Sequence, residues 1–143
     1  MYIDNIGVGQ LVPSKSVTVA PGSLTSAPAD IAEYVAVGPV EIVRVAASIV
    51  TSPTVTATVI TVYRRSGPNV TAGQSVIATL TLPVGTAIGS VVYKDINQAR
   101  IAAGEVLAFN VTTASTAGTA ICGFIAQDDP EYRLNESKMI ASA

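Results

Sequence analysis

The side chains able to do chemistry are few and scattered. Asp128, Asp129 and Glu131 form the densest carboxylate cluster, Arg64-Arg65 is the only basic pair, Cys122 is the single thiol, and Ser14-Lys15 and Ser137-Lys138 place a hydroxyl beside a lysine. Clustered carboxylates suit calcium, but a calcium loop supplies ligands at alternate positions around a central glycine, and this segment does not. It reads instead as a helix start, with Asp128 or Asp129 as N-cap, Pro130 at the first helical position and Glu131 in the first turn. Two adjacent arginines could touch a phosphate, yet neighbours on a strand point to opposite faces, so the pair makes no joint clamp and reads as a charged strand end beside the 66–74 loop. Cys122 shares an alternating run with Phe124, which favours a buried, inert thiol. The two Ser-Lys pairs fall in arm and tail segments with no rigid site around them.

Absences narrow the chemistry further. The chain has no His, which removes Ser-His and Cys-His nucleophile pairs and His-ligated zinc or haem. One Cys forms no internal disulfide or thiolate cluster. A net charge of −2 with only eight Lys plus Arg argues against a nucleic-acid binder. No phosphate-cradling glycine pattern follows a strand, and the triplets at Asn69, Asn110 and Asn135 carry no weight as glycosylation sites without a signal peptide. The expectation is therefore no catalytic residue, no cofactor, no metal, no small-molecule substrate, and not an enzyme.

Mean hydropathy is +0.49, yet no run approaches the ~20 apolar residues of a spanning helix. The greasiest stretch, Val35 to Val50, is interrupted by Pro39, Glu41, Arg44 and Ser48. Aromatic residues are 5%, too few for the girdles of an outer-membrane barrel. The N-terminus has Asp4 and no Lys or Arg before Lys15, unlike a secretory signal, so the expectation is a chain used without export, with Cys122 reduced. Charged residues are 13%, about half the usual share of about 25%. A small domain with so few charges should hide surface against copies of itself or a partner, which points to an obligate member of an assembly.

The elements that must carry these residues are strands, since 48 of 143 residues are Val, Ile or Thr. Alternation and turn chemistry predict about eight strands: 16–20, 31–37, 40–50, 54–65, 75–82, 87–93, 105–113 and 118–127. Thr54–Thr58 alternates strictly and the phase flips at Ile60–Thr61, suggesting a bulge or a doubly covered segment. Val76, Ala78, Leu80 and Leu82 read as inward, as do Ala120, Cys122, Phe124 and Ala126. Val91-Val92, Ile60/Val62 and Ile121/Ile125 read as apolar residues on second faces, which should meet protein. Turns fall at Ser66–Asn69, Ala72-Gly73, Pro83–Gly85 and Ala117-Gly118. Asn97–Ala103 has room for one helical turn. The spacing predicts an all-β antiparallel sandwich, jelly-roll-like, over 31–127, with an extended arm over 1–30 and a tail over 128–143 that holds a possible short helix. The arm should make most of its contacts outside its own β-domain.

One stretch resembles a known group. Ala102-Ala103-Gly104-Glu105 leads into the alternating run Val106 to Thr113, then Ala114 to Thr119, similar to the last hairpin of small β-sandwich virion proteins of tailed bacteriophages. Val35 to Ile42 is similar to the way their first core strands begin, and the His-free, Trp-free composition is typical of them. The resemblance implies a head decoration (cement) protein: a homotrimer seated on the outer capsid surface, assembled in the host cytoplasm, with the major capsid protein as partner and no catalytic residues. In such a protein the arm would contact the capsid, here through Tyr2, Ile3, Ile6, Leu11 and Val12. Other readings are a tail-tube, head-tail joining or fibre-associated protein, for which the amphipathic helix is missing, and a carbohydrate-binding sandwich. The last would need aromatic platforms, whereas Trp is absent and the five Tyr are scattered. Neither nucleic acid nor a membrane is expected as a partner.

Overall fold

Stiff β-branched side chains pack well on a pleated surface, and short Gly/Pro/Asn turns punctuate them. In the computed structural model, which describes residues 14–18 and 20–128, they form two antiparallel sheets packed face to face. The strands are β1 (Ser14–Thr18), β2 (Gly22–Ser23), β3 (Ala29–Val35), β4 (Val40–Thr51), β5 (Thr58–Arg65), β6 (Ser75–Leu82), β7 (Val91–Ile101), β8 (Val106–Thr113) and β9 (Thr119–Asp128). No helix occurs among the described residues.

The first sheet runs β1-β9-β4-β7, with β2 also pairing β9, and the second runs β3-β8-β5-β6. With β1 and β2 counted as one interrupted strand, the first pairs with the last, β3 with β8, β4 with β7 and β5 with β6. That is a long antiparallel ribbon wound on itself, a jelly-roll-like sandwich. Between the sheets, Ile42, Val45, Ala47 and Ile49 of β4 and Ala120, Cys122, Phe124 and Ala126 of β9 meet Ile60, Val62, Leu80, Leu82, Leu107, Phe109 and Val111. Tyr34 packs edge-on against Phe124, with ring centroids 4.8 Å apart. Positive φ at Asn69, Gly73, Gly85 and Gly118 places left-handed residues in the turns expected there.

Several expectations shift, each for a local reason. The arm predicted over 1–30 is not separate where it is described: β1 and β2 pair with β9, and Leu24 is fully buried in the core. Gly123 allows this, because a Cβ there would lie 2.9 Å from the Val17 carbonyl oxygen. Residues 1–13, and with them Tyr2, Ile3, Ile6, Leu11 and Val12, lie outside the described residues, as does the tail beyond Asp128 with its expected helix. The helical turn at Asn97–Ala103 is absent; β7 continues as strand to Ile101, where Ile96 and Ala99 pack on the core. Thr54–Thr58 alternates yet is loop, and β5 starts only at Thr58. The strand expected over 87–93 starts at Val91, behind a loop.

A bulge does occur beside the expected phase flip, but β5 itself keeps its alternation, with Thr58, Ile60 and Val62 all fully buried; the register shift between Val59 and Ile60 comes from an extra residue, Thr112, on β8. A second shift, between Val62 and Tyr63 against β6, turns Val76 outward instead of inward, 61% exposed. Ile60 and Val62 both face the core, so they offer no second face.

Candidate functional site

Polar chemistry concentrates on the outer face of the second sheet. Residues three apart on a regular strand point to opposite sides, but a register shift between Asp30 and Ala32 puts Asp30 and Glu33 on one face. Arg65, at the end of β5, lies between them with its side chain 1% exposed. Its Nη1 and Nη2 donate to the two Asp30 carboxylate oxygens at 2.7 and 2.9 Å, a bidentate pair. Nη1 also donates to Glu33 at 3.1 Å, and Nε to the Gln74 side-chain oxygen at 2.8 Å. Asn110 adds a 2.6 Å bond to Asp30, and the Asn69 N–H donates to Glu33.

The hydrogen bond from Arg65, with the weaker help of Asn110 and the Arg65 charge, holds the Asp30 carboxyl below its usual range despite partial burial. The guanidinium is occupied by the fold, leaving no open fork for a phosphate. What it does is pin the 66–74 loop across the sheet through Gln74, while Glu33 receives Asn69. Arg64 points to the other face, as the alternation predicts, and donates to the Arg100 carbonyl at 3.3 Å. Sequence reasoning placed the two arginines on opposite faces but missed the burial of Arg65, because its carboxylate partners come from a bulged strand 32 and 35 residues away.

Cys122 is 1% exposed among apolar neighbours, and burial pushes its thiol up to about 12. A thiol that stays protonated near neutral pH is a poor nucleophile. Among the described residues no group of His, Cys, Asp and Glu is arranged to hold a metal ion. Asp128 closes β9, and Asp129 and Glu131 lie outside the described residues, as do Ser137 and Lys138.

Two further surface features stand out among the described residues. On the outer face of the first sheet, Gly123 of β9 and Ala46 of β4 sit side by side in register and form the floor of a shallow dip of about 270 Å³. Ile121, Ile125 and Val91 wall it. At one side Arg44 lies 4.2 Å over the Tyr93 ring and bonds Asp95 at 2.6 Å. The expectation of outward apolar residues at Ile121, Ile125 and Val91 is met here, whereas Val92 packs on the core.

The second feature is one pole of the sandwich, where the loops at 24–28, 52–57, 83–90 and 114–118 are stitched together. Leu24 N–H donates to Gly118, Ser115 N–H to Leu24, Gly85 N–H to Pro53, and the Ser52 hydroxyl to Thr86. The buried Ser115 hydroxyl donates to the Thr54 carbonyl at 2.5 Å and accepts from the Thr54 N–H at 2.8 Å. So held, Thr54 accepts from Thr56 N–H at 2.8 Å across Val55, whose φ is +69°. That is the strained form of the γ-turn, with a β-branched residue at its centre. Val55 stands 79% exposed, and Ile88 and Val84 stand 73% and 50% exposed on the adjoining loop. None of the four loops carries an Asp, Glu, Lys or Arg. No protein-family model matches the chain, and no curated protein matches it.

Proposed function

We propose that the protein is a non-enzymatic structural subunit of a virion, a decoration protein that sits on the outer capsid surface of a phage head and stabilises it. The observation that carries this reading is the contrast between interior and surface. Arg65, Asp30, Glu33 and Cys122, the groups best able to do chemistry, are engaged or buried by the fold, while aliphatic side chains stand exposed on a pole without charges. Such a surface suits protein contact. A jelly-roll-like sandwich is a common scaffold for capsid proteins, though the fold alone does not assign a function.

In this proposal the major capsid protein is the partner, and residues 1–13, with Tyr2, Ile3, Ile6, Leu11 and Val12, lie on the capsid. Copies of the chain associate as a trimer, whose valency strengthens seating on a repeating lattice. The test is to compare heads assembled with the full chain, without it, and with a chain lacking residues 1–13. That truncation ends before β1 begins at Ser14. Heads without the protein, or with the truncated chain, should release DNA at a lower temperature; equal heat resistance in all three overturns the reading.

A further inference from the structure

We infer that the charge-free pole is a self-association surface, with Val55 and Ile88 of one copy seated in the Ala46–Gly123 dip of the next. This gives the copy-to-copy contact of the assembly proposed above a place on the fold, and it rests on that assembly being built from this chain.

The argument starts from what a contact with a like molecule must avoid. Charged patches brought against their own copies set like charges together or strip hydration from ions, and both oppose association. The four loops carry no ionisable side chain, so they bring no like charge and no ion of their own against a copy. The knobs are aliphatic, and the chain itself supplies a mostly apolar hollow for them, with Arg44 at its side already paired to Asp95 and stacked on Tyr93. The dip's floor is glycine and alanine, its walls are Ile121, Ile125 and Val91, and its volume of about 270 Å³ is the space of about nine waters. Thus two apolar features among the described residues, one protruding and one hollow, are alike in chemistry. A lipid surface is the poorer match, because membrane-seated loops use Trp, Tyr, Lys and Arg at the interface and these loops have none.

Rigidity adds to the case. A valine in the left-handed region persists only where its surroundings impose it, and here the Ser115–Thr54 hydrogen bonds do so. The knob is therefore set before contact, which lowers the ordering cost of association. A knob entering a hollow elsewhere on the surface makes a heterologous contact, which closes into a ring when the rotation permits.

The test uses two variants of the full chain, each with circular dichroism to verify the fold. Val55→Asn/Ile88→Asn removes the knob, Asn at 55 being a residue that tolerates the left-handed backbone. Ala46→Glu fills and charges the hollow. In sedimentation velocity the wild type should run as a closed oligomer and each variant alone as a monomer. Mixed, the two should form a one-to-one dimer and nothing larger, since one variant keeps its hollow and the other its knob. A monomeric wild type, unaltered association of either variant, or no dimer in the mixture overturns the inference. A chain lacking residues 1–13 should associate as the full chain does; if it is monomeric, those residues make the contact and the proposal is wrong. Heads tested as above report on the capsid reading separately, because binding to heads can fail while the oligomer persists.

Discussion

Replacing Arg65 with Met keeps most of the buried stem and removes the guanidinium, so it asks what the ion cluster on the second sheet is worth. Four hydrogen bonds disappear: two to Asp30, one to Glu33 and one to Gln74. Breaking a buried pair by removing one partner costs about 3–5 kcal/mol when the other charge stays uncompensated. Here the stranded carboxylates are 31% and 23% exposed and regain part of their hydration. The loss should therefore sit at or just below that range, about 2–3 kcal/mol. With a urea slope of ~2 kcal/mol per M, the unfolding midpoint falls by ~1–1.5 M.

The acid limb should change as well. The Asp30 carboxyl is depressed in the folded state, so its contribution is present above the unfolded value of about 3.9 and is lost as pH falls through the folded value. Arg65→Met should flatten the stability decline below about pH 4, where that contribution is lost. A double-mutant cycle with Asp30→Asn should return a coupling of about 1–3 kcal/mol. A shift in midpoint under ~0.3 M, or a coupling near zero, would refute the view that Arg65 pins this face.

Three further outcomes are expected. Native protein at pH 8 should react with a thiol reagent only as fast as it unfolds, because Cys122 is buried and its thiol is pushed up to about 12; fast labelling without unfolding would contradict this. Thr58→Val should raise stability by about 1 kcal/mol in thermal unfolding, since the Thr58 hydroxyl is buried without a hydrogen-bond partner and valine has nearly the same shape; a loss of stability would show that the hydroxyl is paired. Val55→Gly should raise the melting temperature by a few degrees, about 0.5–1 kcal/mol, by relieving the left-handed valine while weakening self-association; a lower melting temperature would show that Val55 is not strained.

The sandwich was legible where alternation and burial coincide. Ala120, Cys122, Phe124 and Ala126 follow period two along β9 and all face the core, and the turns around Asn69, Gly73 and Gly85 follow from residues that accept positive φ. It was misread where local pattern met a tertiary constraint. Thr54–Thr58 alternates, but Ser115, sixty-one residues away in sequence from Thr54, holds it in a loop. Val76 faces outward because an extra residue in β6, Ile77, shifts the pairing with β5, and the alternation of Val76, Ala78, Leu80 and Leu82 gives no sign of it. Asp30 and Glu33 share a face only because β3 is bulged, so the Arg65 cluster had no spacing by which to be found. The neutrality of the pole was present in the sequence as stretches without charge, yet four separate loops become one surface only once the ribbon is wound.

The most direct measurement is electron microscopy of phage particles labelled with antibody against this chain. The proposal predicts label spread over the outer surface of the heads at regular positions, and none on tails. Label confined to tails or fibres, or particles that carry none, would contradict it.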